Sequence, residues 1–496
     1  MNAARRHTNT GVVSSGIPGL DELLNGGFVR RACVLVEGQP GSGKTSLGLQ
    51  FIHDGLVRHD EPGIIITFEE LPEDIYRDAA AYGWDLPAFE RQGKLAVMCT
   101  SPDVFEEDTM SSGGFFDRLV EEVQPTRVVL DSISQMEQGT TDPVERRRLV
   151  YGLRNCFKRH DLTALFTKEI DGESVGGPAF EKYVADVVIS LDYRPIPEAG
   201  VRVREIEVTK TRTRAHVSGR HLLEITDRGL VVVPALSYPD VEDEEEADVA
   251  LEFVSTGSEG LDAMLGGGLV RGSTTIVAGS TGVGKTVLGL QFLAAGVARG
   301  ESGLLVCFEQ TPGEVRRVAA GLGLPYDQMG PEGPIRIWHQ RPGRRPLGFL
   351  TSRAMAVIEE LQPQRLVVDA VSTLAKSPIE EGRNRGELAT MLSCIRTTPA
   401  TTLVMDETPG IVSEFEVTGG VMISSLVDNI IVLRYVELSS EMRRAASVLK
   451  ARYVDHDKEI REYVIGQGGL ALQDKFQVET GLFKGMPRQS SVEDFF

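Results

Sequence analysis

Two short stretches carry the residue types that bind a polyphosphate. The first is Gly38-Gln39-Pro40-Gly41-Ser42-Gly43-Lys44-Thr45 and the second Gly279-Ser280-Thr281-Gly282-Val283-Gly284-Lys285-Thr286. Both read glycine, four residues, glycine, lysine, threonine. Glycines let backbone N–H groups converge on phosphate oxygens with no side chain in the way. The helix expected next offers its first amides and its dipole to the anion. Lysine supplies a point charge to the β- and γ-phosphates, and threonine an oxygen to Mg2+. The expected nucleotide-binding positions are Gly41, Ser42, Gly43, Lys44, Thr45 and Ser46, and again Gly282, Val283, Gly284, Lys285, Thr286 and Val287.

Carboxylates complete the chemistry. Asp131 ends the run RVVLD and Asp369 ends RLVVD. At the carboxyl end of a strand such a group faces the crevice where ligands bind and can hold Mg2+ through water. Thr45, Asp131, Thr286 and Asp369 are thus the candidate metal positions; a helix N-cap is the alternative duty for Asp131. Glu69 and Glu70 follow one apolar run, and Glu309 with Gln310 follow its counterpart. A glutamate beside a phosphate loop can orient or deprotonate an attacking water; capping the next helix is the plainer use. Glutamine can orient a water but cannot take its proton, so the two sites are expected to differ.

The elements that position these residues recur as well. SSGIPGLDELLNGGF precedes the first loop and STGSEGLDAMLGGGL the second, and the two loop lysines lie about 240 residues apart. That period suits a duplicated domain rather than a solenoid. Later landmarks keep the same order, down to Lys210-Thr211-Arg212 and Lys450-Ala451-Arg452. The acidic run from Pro239 cannot pack and repels itself, so it reads as a linker. The expected division is a domain at 1–238, a linker at 239–250, a second domain at 251–475 and a tail at 476–496. Within each copy, β-branched runs such as GIIITF, LAVMC, TALFT and DVVISL alternate with helical stretches such as 142–160. The expectation is an α/β fold of two tandem RecA-like domains, each a mostly parallel sheet flanked by helices.

Bulk properties narrow the function. The 496 residues hold 52 basic and 72 acidic side chains, a net charge of −20, with 41% apolar content. Such a chain is repelled by nucleic-acid backbones and by anionic membranes. The five cysteines are scattered, with no metal-like or disulfide-like spacing. No apolar run reaches transmembrane length, so a cytoplasmic location is expected.

Together these residues resemble the KaiC family of RecA-like double ATPases. The likeness runs nearly the whole chain: the TG-x-x-GLD entry, FEE followed by a helix with GWDL, and YVE…EMRRA…HDKEIREY near the end. The resemblance implies a hexameric double ring with ATP at subunit interfaces, an N-terminal ring that is chiefly an ATPase, and a C-terminal ring that phosphorylates and dephosphorylates itself. It implies that Lys210, Arg212, Lys450 and Arg452 reach a neighbouring subunit's nucleotide, where cations stabilise charge on the transferring phosphoryl group. His216 and His456 follow in matching places, as contacts to sugar or phosphate. Ser424 and Ser425 match the family's phosphoacceptor pair, with Glu309 as the base that takes the serine proton. Aligning the two copies puts Lys182 and Tyr183 opposite these serines, so the hydroxyl pair is peculiar to the second copy. A KaiB-like protein partner is implied too. Two serines stand where the clock protein has serine then threonine, and the tail stops short of the extension that engages its activating partner. A homologue outside the cyanobacterial clock is therefore expected. The competing readings are a RecA-like DNA-dependent ATPase, against which the acidic balance counts, and a scaffold whose nucleotide governs only assembly, which needs neither the glutamates nor the Lys-x-Arg elements.

Overall fold

The computed structural model describes residues 11–111, 113–138, 142–170, 180–196, 200–212, 214–239, 251–341, 345–371, 374, 381–407, 426–438 and 441–475. The chain divides into two compact units, Met1–Ala235 and Leu236–Phe496. The expected linker beyond Pro239, the tail at 476–496 and the serine pair Ser424 and Ser425 lie outside the described residues.

In the first unit, β1 (Val12–Val13) and β2 (Phe28–Val29) form a small antiparallel ribbon. The main sheet holds β3 (Cys33–Gly38), β4 (Gly63–Thr67), β5 (Leu95–Cys99), β6 (Arg127–Asp131), β7 (Thr163–Glu169), β8 (Val187–Ile196), β9 (Val201–Thr211), β10 (Arg220–Thr226) and β11 (Gly229–Val233). Their order across the sheet is β11-β10-β9-β8-β3-β7-β6-β4-β5. From β8 to β5 every pairing is parallel, and β9 to β11 fold back antiparallel. β3, whose six residues are all buried, lies near the centre of the sheet, which is why CVLVEG is nearly all apolar. Helices cover both faces. The helix Lys44–Arg58 packs Leu47, Phe51 and Ile52 against Val129 and Leu165. On the other face, Leu153 and Phe157 of the helix Pro143–Arg159 join Leu35 and Phe166. At the start of that helix Asp142 accepts from the Val144 N–H, and proline occupies its first turn.

The second unit repeats the design. The ribbon is β12 (Phe253–Val254) with β13 (Leu269–Val270), and the sheet holds β14 (Thr274–Gly279), β15 (Gly303–Cys307), β16 (Ile335–His339), β17 (Arg365–Asp369), β18 (Thr401–Glu407), β19 (Asn429–Leu438), β20 (Glu441–Ala451), β21 (Arg461–Gly466) and β22 (Gly469–Lys475). The order β16-β15-β17-β18-β14-β19-β20-β21-β22 is the first sheet read from its other edge. Two mostly parallel sheets flanked by helices, one per unit, are the RecA-like pair that the sequence led us to expect.

Two buried polar devices hold each unit in register. Arg127, 1% exposed at the start of β6, donates to Glu61 at 2.8 Å and to the Phe51 and Ser14 carbonyls at 2.6 and 3.1 Å. Its guanidinium lies 4.6 Å from the Phe51 ring centre and 3.7 Å from Asp54. Arg365 repeats this with Glu301, the Phe292 and Ser255 carbonyls and the Phe292 ring. The second device is a glutamine on the helix after each loop. Gln50 donates to the Gly16 and Leu230 carbonyls and accepts from the Leu230 N–H, and Gln291 does the same with Gly257 and Leu470. Each last strand is thereby pinned to the helix that begins at the phosphate loop.

Candidate nucleotide-phosphate site

Both glycine-rich stretches run from a central strand into a helix, at the carboxyl ends of parallel strands. Gly43 and Gly284 each hold φ at 107°, a left-handed value that only glycine adopts without strain, and the helix begins at the next residue. That places the first free amides of each helix at the loop. The Lys44 ammonium donates to the Gly38 and Gln39 carbonyls at 3.0 and 3.1 Å, and Lys285 to those of Gly279 and Ser280 at 2.8 and 2.9 Å. Burial pulls both lysines below their usual pKa, while Glu169 and Asp131 near one, and Glu407 and Asp369 near the other, push back.

The threonine and aspartate expected to work together do meet. Thr45 Oγ1 donates to Asp131 Oδ2 at 2.7 Å, and Thr286 Oγ1 to Asp369 Oδ2 at 2.6 Å. Each aspartate is followed by a cis peptide bond. Asp131 also accepts from the Thr167 hydroxyl. The second copy has Met405 in the place of Thr167, and burial holds the Asp369 carboxyl above its usual range.

In the first unit these groups line one cleft of about 350 Å³, with Gly41, Gly43, Lys44, Thr45, Ser46, Glu69, Glu70 and Asp131 on its wall. Ser42 is buried beneath the loop, and Ser46 meets the Tyr82 hydroxyl at 2.9 Å. Glu69 accepts from Gln135. Glu70 has a buried Oε2 with no hydrogen-bond partner among the described residues. Burial, then the charges of Asp131, Asp78, Asp74 and Glu69, lift its pKa above the ordinary carboxylate range. Gln310 Oε1 is buried in the same unpartnered way, beside the exposed Glu309. In the second unit Val283 is buried in the core beneath the loop, and Val287 follows in the first turn of the helix.

Lys210, Arg212 and His216 do not line that cleft. Lys210 donates to the Lys182 and Ala185 carbonyls at 2.6 and 2.8 Å, Arg212 to the Tyr183 carbonyl, and His216 meets Thr211 at 3.0 Å. Lys450 donates to the Val427 carbonyl at 2.6 Å and Arg452 to Asp428 at 3.3 Å; His456 lies in the loop that follows.

Several residues escaped the sequence reading. Glu169 ends β7 within 4.0 Å of the Lys44 ammonium, and Glu407 at the matching place accepts from Thr281. Comparing the two copies beyond their apolar runs would have found this pair. Arg204 donates to the Gly41 carbonyl and stacks on Tyr193 at 4.1 Å; Arg444 stacks on Tyr435, whose hydroxyl donates to the Gly282 carbonyl at 2.8 Å.

A phosphate loop with its threonine–aspartate pair, set twice on RecA-like sheets, defines a double-domain P-loop ATPase. The family model described as KaiC ATPase matches residues 13–237 and again 254–476. The circadian clock oscillator protein KaiC of Picosynechococcus sp. is 32% identical over 490 residues, covering 96% of this chain and 92% of its own. KaiC3 of Synechocystis sp., a circadian clock protein, is 32% identical across 97% of this chain and 96% of its own. The KaiC of Parathermosynechococcus lividus is 31% identical across 97% and 88%. The chain belongs to the KaiC family. Among the described residues no helix is long and apolar enough to cross a membrane.

Proposed function

We propose that this chain is a cytoplasmic timing or signalling ATPase that assembles as a hexameric double ring, its first domain hydrolysing ATP and its second passing phosphate to its own serines. The observation that carries the reading is the pair of matched loops whose catalytic surroundings differ: Glu69-Glu70 with Thr167 in one, Glu309-Gln310 with Met405 in the other. In the first site a water oxygen attacks the γ-phosphorus, its proton passes to the glutamate pair, and ADP leaves. In the second, Glu309 takes a proton from Ser424 or Ser425 as that oxygen attacks the γ-phosphorus, again releasing ADP. Thr45 with Asp131, and Thr286 with Asp369, are the groups to hold Mg2+. A hydroxyl and a carboxylate beside a phosphate loop fit a hard cation that takes one or two carboxylates plus phosphate oxygens. A cation held there would supply positive charge against the β- and γ-oxygens.

Lys210, Arg212, Lys450 and Arg452 serve the nucleotide of the adjacent subunit, with His216 and His456 beside them. In support, Lys210 and Arg212 do not line their own subunit's cleft and sit at the carboxyl end of β9. A KaiB-like protein is the partner expected by kinship with the clock proteins.

The test is incubation with γ-labelled ATP, phosphate release and phosphopeptide mapping. Lys44→Ala is expected to remove most hydrolysis, and Lys285→Ala most label from the Ser424-Ser425 peptide. Equal loss of both activities in each variant contradicts the division. Release of phosphate with no label on that peptide in the parent chain sinks the kinase half alone.

A further inference from the structure

Lys210, Arg212 and Lys450 are tied to backbone carbonyls where the strand beside them begins, and Arg452 is tied there to the Asp428 carboxylate. Asp186 anchors this region in the first unit, accepting from the Cys33 N–H at 3.0 Å, and Asp428 does so in the second from Thr274. The first unit has a further tie. Lys182 Nζ donates to Glu37 Oε1 at 2.5 Å, and Ser190 Oγ donates to the same oxygen at 2.8 Å. Glu37, 3% exposed, is the β3 residue just before Gly38 of the phosphate loop. In the parallel register Glu37 pairs with Ser190, and Ala278 pairs with Val432 at the corresponding place. Opposite Lys182 the second copy has Ser424. Two apolar residues and a hydroxyl therefore replace an ion pair and its hydrogen bond.

Lys182 belongs to the short helix Phe180–Val184, whose last carbonyls are the ones that hold Lys210 and Arg212. Next to it, Val184 and Ala185 are buried in the core. The tie at Lys182 fixes this cradle to the central strand of the sheet. We propose that the Glu37–Lys182 pair is a positioning element, setting Lys210 and Arg212 for the neighbouring subunit's nucleotide in the first ring only. The proposal rests on those cations acting in trans. Lys182 is held by Glu37 and acts through the carbonyls that aim the two cations. The simplest rival is that Glu37, adjacent to Gly38, supports the phosphate loop of its own subunit.

The two predict opposite results in mixed rings of full-length chains. Lys182→Met is expected to lower kcat for ATP hydrolysis at least tenfold with KM within twofold, and Lys182→Arg to keep at least half of kcat. Lys182→Met subunits co-expressed with Lys44→Ala subunits and purified through two tags should hydrolyse at least threefold faster than the mean of the two homogeneous proteins. In such rings an intact phosphate loop meets intact cations from its neighbour. Arg212→Ala co-expressed with Lys44→Ala is the control for action in trans. Recovery in that control but not with Lys182→Met overturns the proposal and favours the rival. Recovery in neither overturns the trans reading and the proposal with it. An unchanged kcat in Lys182→Met also overturns it. Should Lys182→Met fail to fold, Glu37→Gln takes its place in the mixture, read the same way.

Discussion

At the residue scale, the first site holds two adjacent glutamates of unlike surroundings. Glu69 is exposed and held by Gln135, while Glu70 is half-buried with an orphaned oxygen. The glutamate common to both copies, Glu69 and Glu309, is the better candidate for the base, with Glu70 adding a second carboxylate. Glu69→Gln should then lower phosphate release by about 10²–10⁴-fold, the range a positioned base contributes, and Glu70→Gln by less. The reverse order in steady-state kinetics would move the base to Glu70. The phosphate loops and Asp131 were legible because their chemistry demands fixed residue types at fixed spacing. Thr167 was not, since the second copy has methionine there, and Glu169 stands out only when the copies are compared beyond their apolar runs. Glu37 and Lys182 lie 145 positions apart, a separation that no local signal spans.

At the element scale, strand runs and their order came through clearly because buried parallel strands are written as unbroken apolar segments. The buried arginines were less readable: Arg127 and Arg365 look like ordinary strand-entry charges until Glu61 and Glu301 close on them. Removing one partner of a buried pair costs about 3–5 kcal/mol, since the other charge stays behind unpaired. Arg127→Leu takes the buried cation from both Glu61 and Asp54, leaving them Arg30 and the more exposed Arg58 and His59. Arg365→Leu takes it from Glu301 alone, which keeps Arg271, with Ala295 in the place of Asp54. The first unit should therefore lose more stability than the second. Urea unfolding followed by Trp84 for the first unit and Trp338 for the second measures both, in single-tryptophan variants; equal losses would contradict the comparison.

At the scale of the whole molecule, the proposed supply of cations by a neighbour would make turnover a property of the assembly. Specific ATPase activity should fall as the protein is diluted below the concentration at which rings hold together, and sedimentation should show the two declines coinciding. Activity per chain that stays constant while the assembly dissociates would place the Lys-x-Arg cations at their own subunit's nucleotide. Duplication was plain in the sequence, whereas the proposed division of labour rests only on the places where the copies differ.

The glutamine that pins Leu230 to the helix after the phosphate loop also has a consequence during translation. Gln50 leaves the ribosome well ahead of its partner, 180 positions further on. At about 5–20 residues per second the nascent chain waits roughly 10–40 s for that partner. Through that interval the phosphate loop exists without Leu223, Ile225 and Leu230, which pack beside Gly43 in the finished fold. Synthesis thus closes the first nucleotide site only as its domain ends, and the second repeats the delay with Gln291 and Leu470, 179 positions apart.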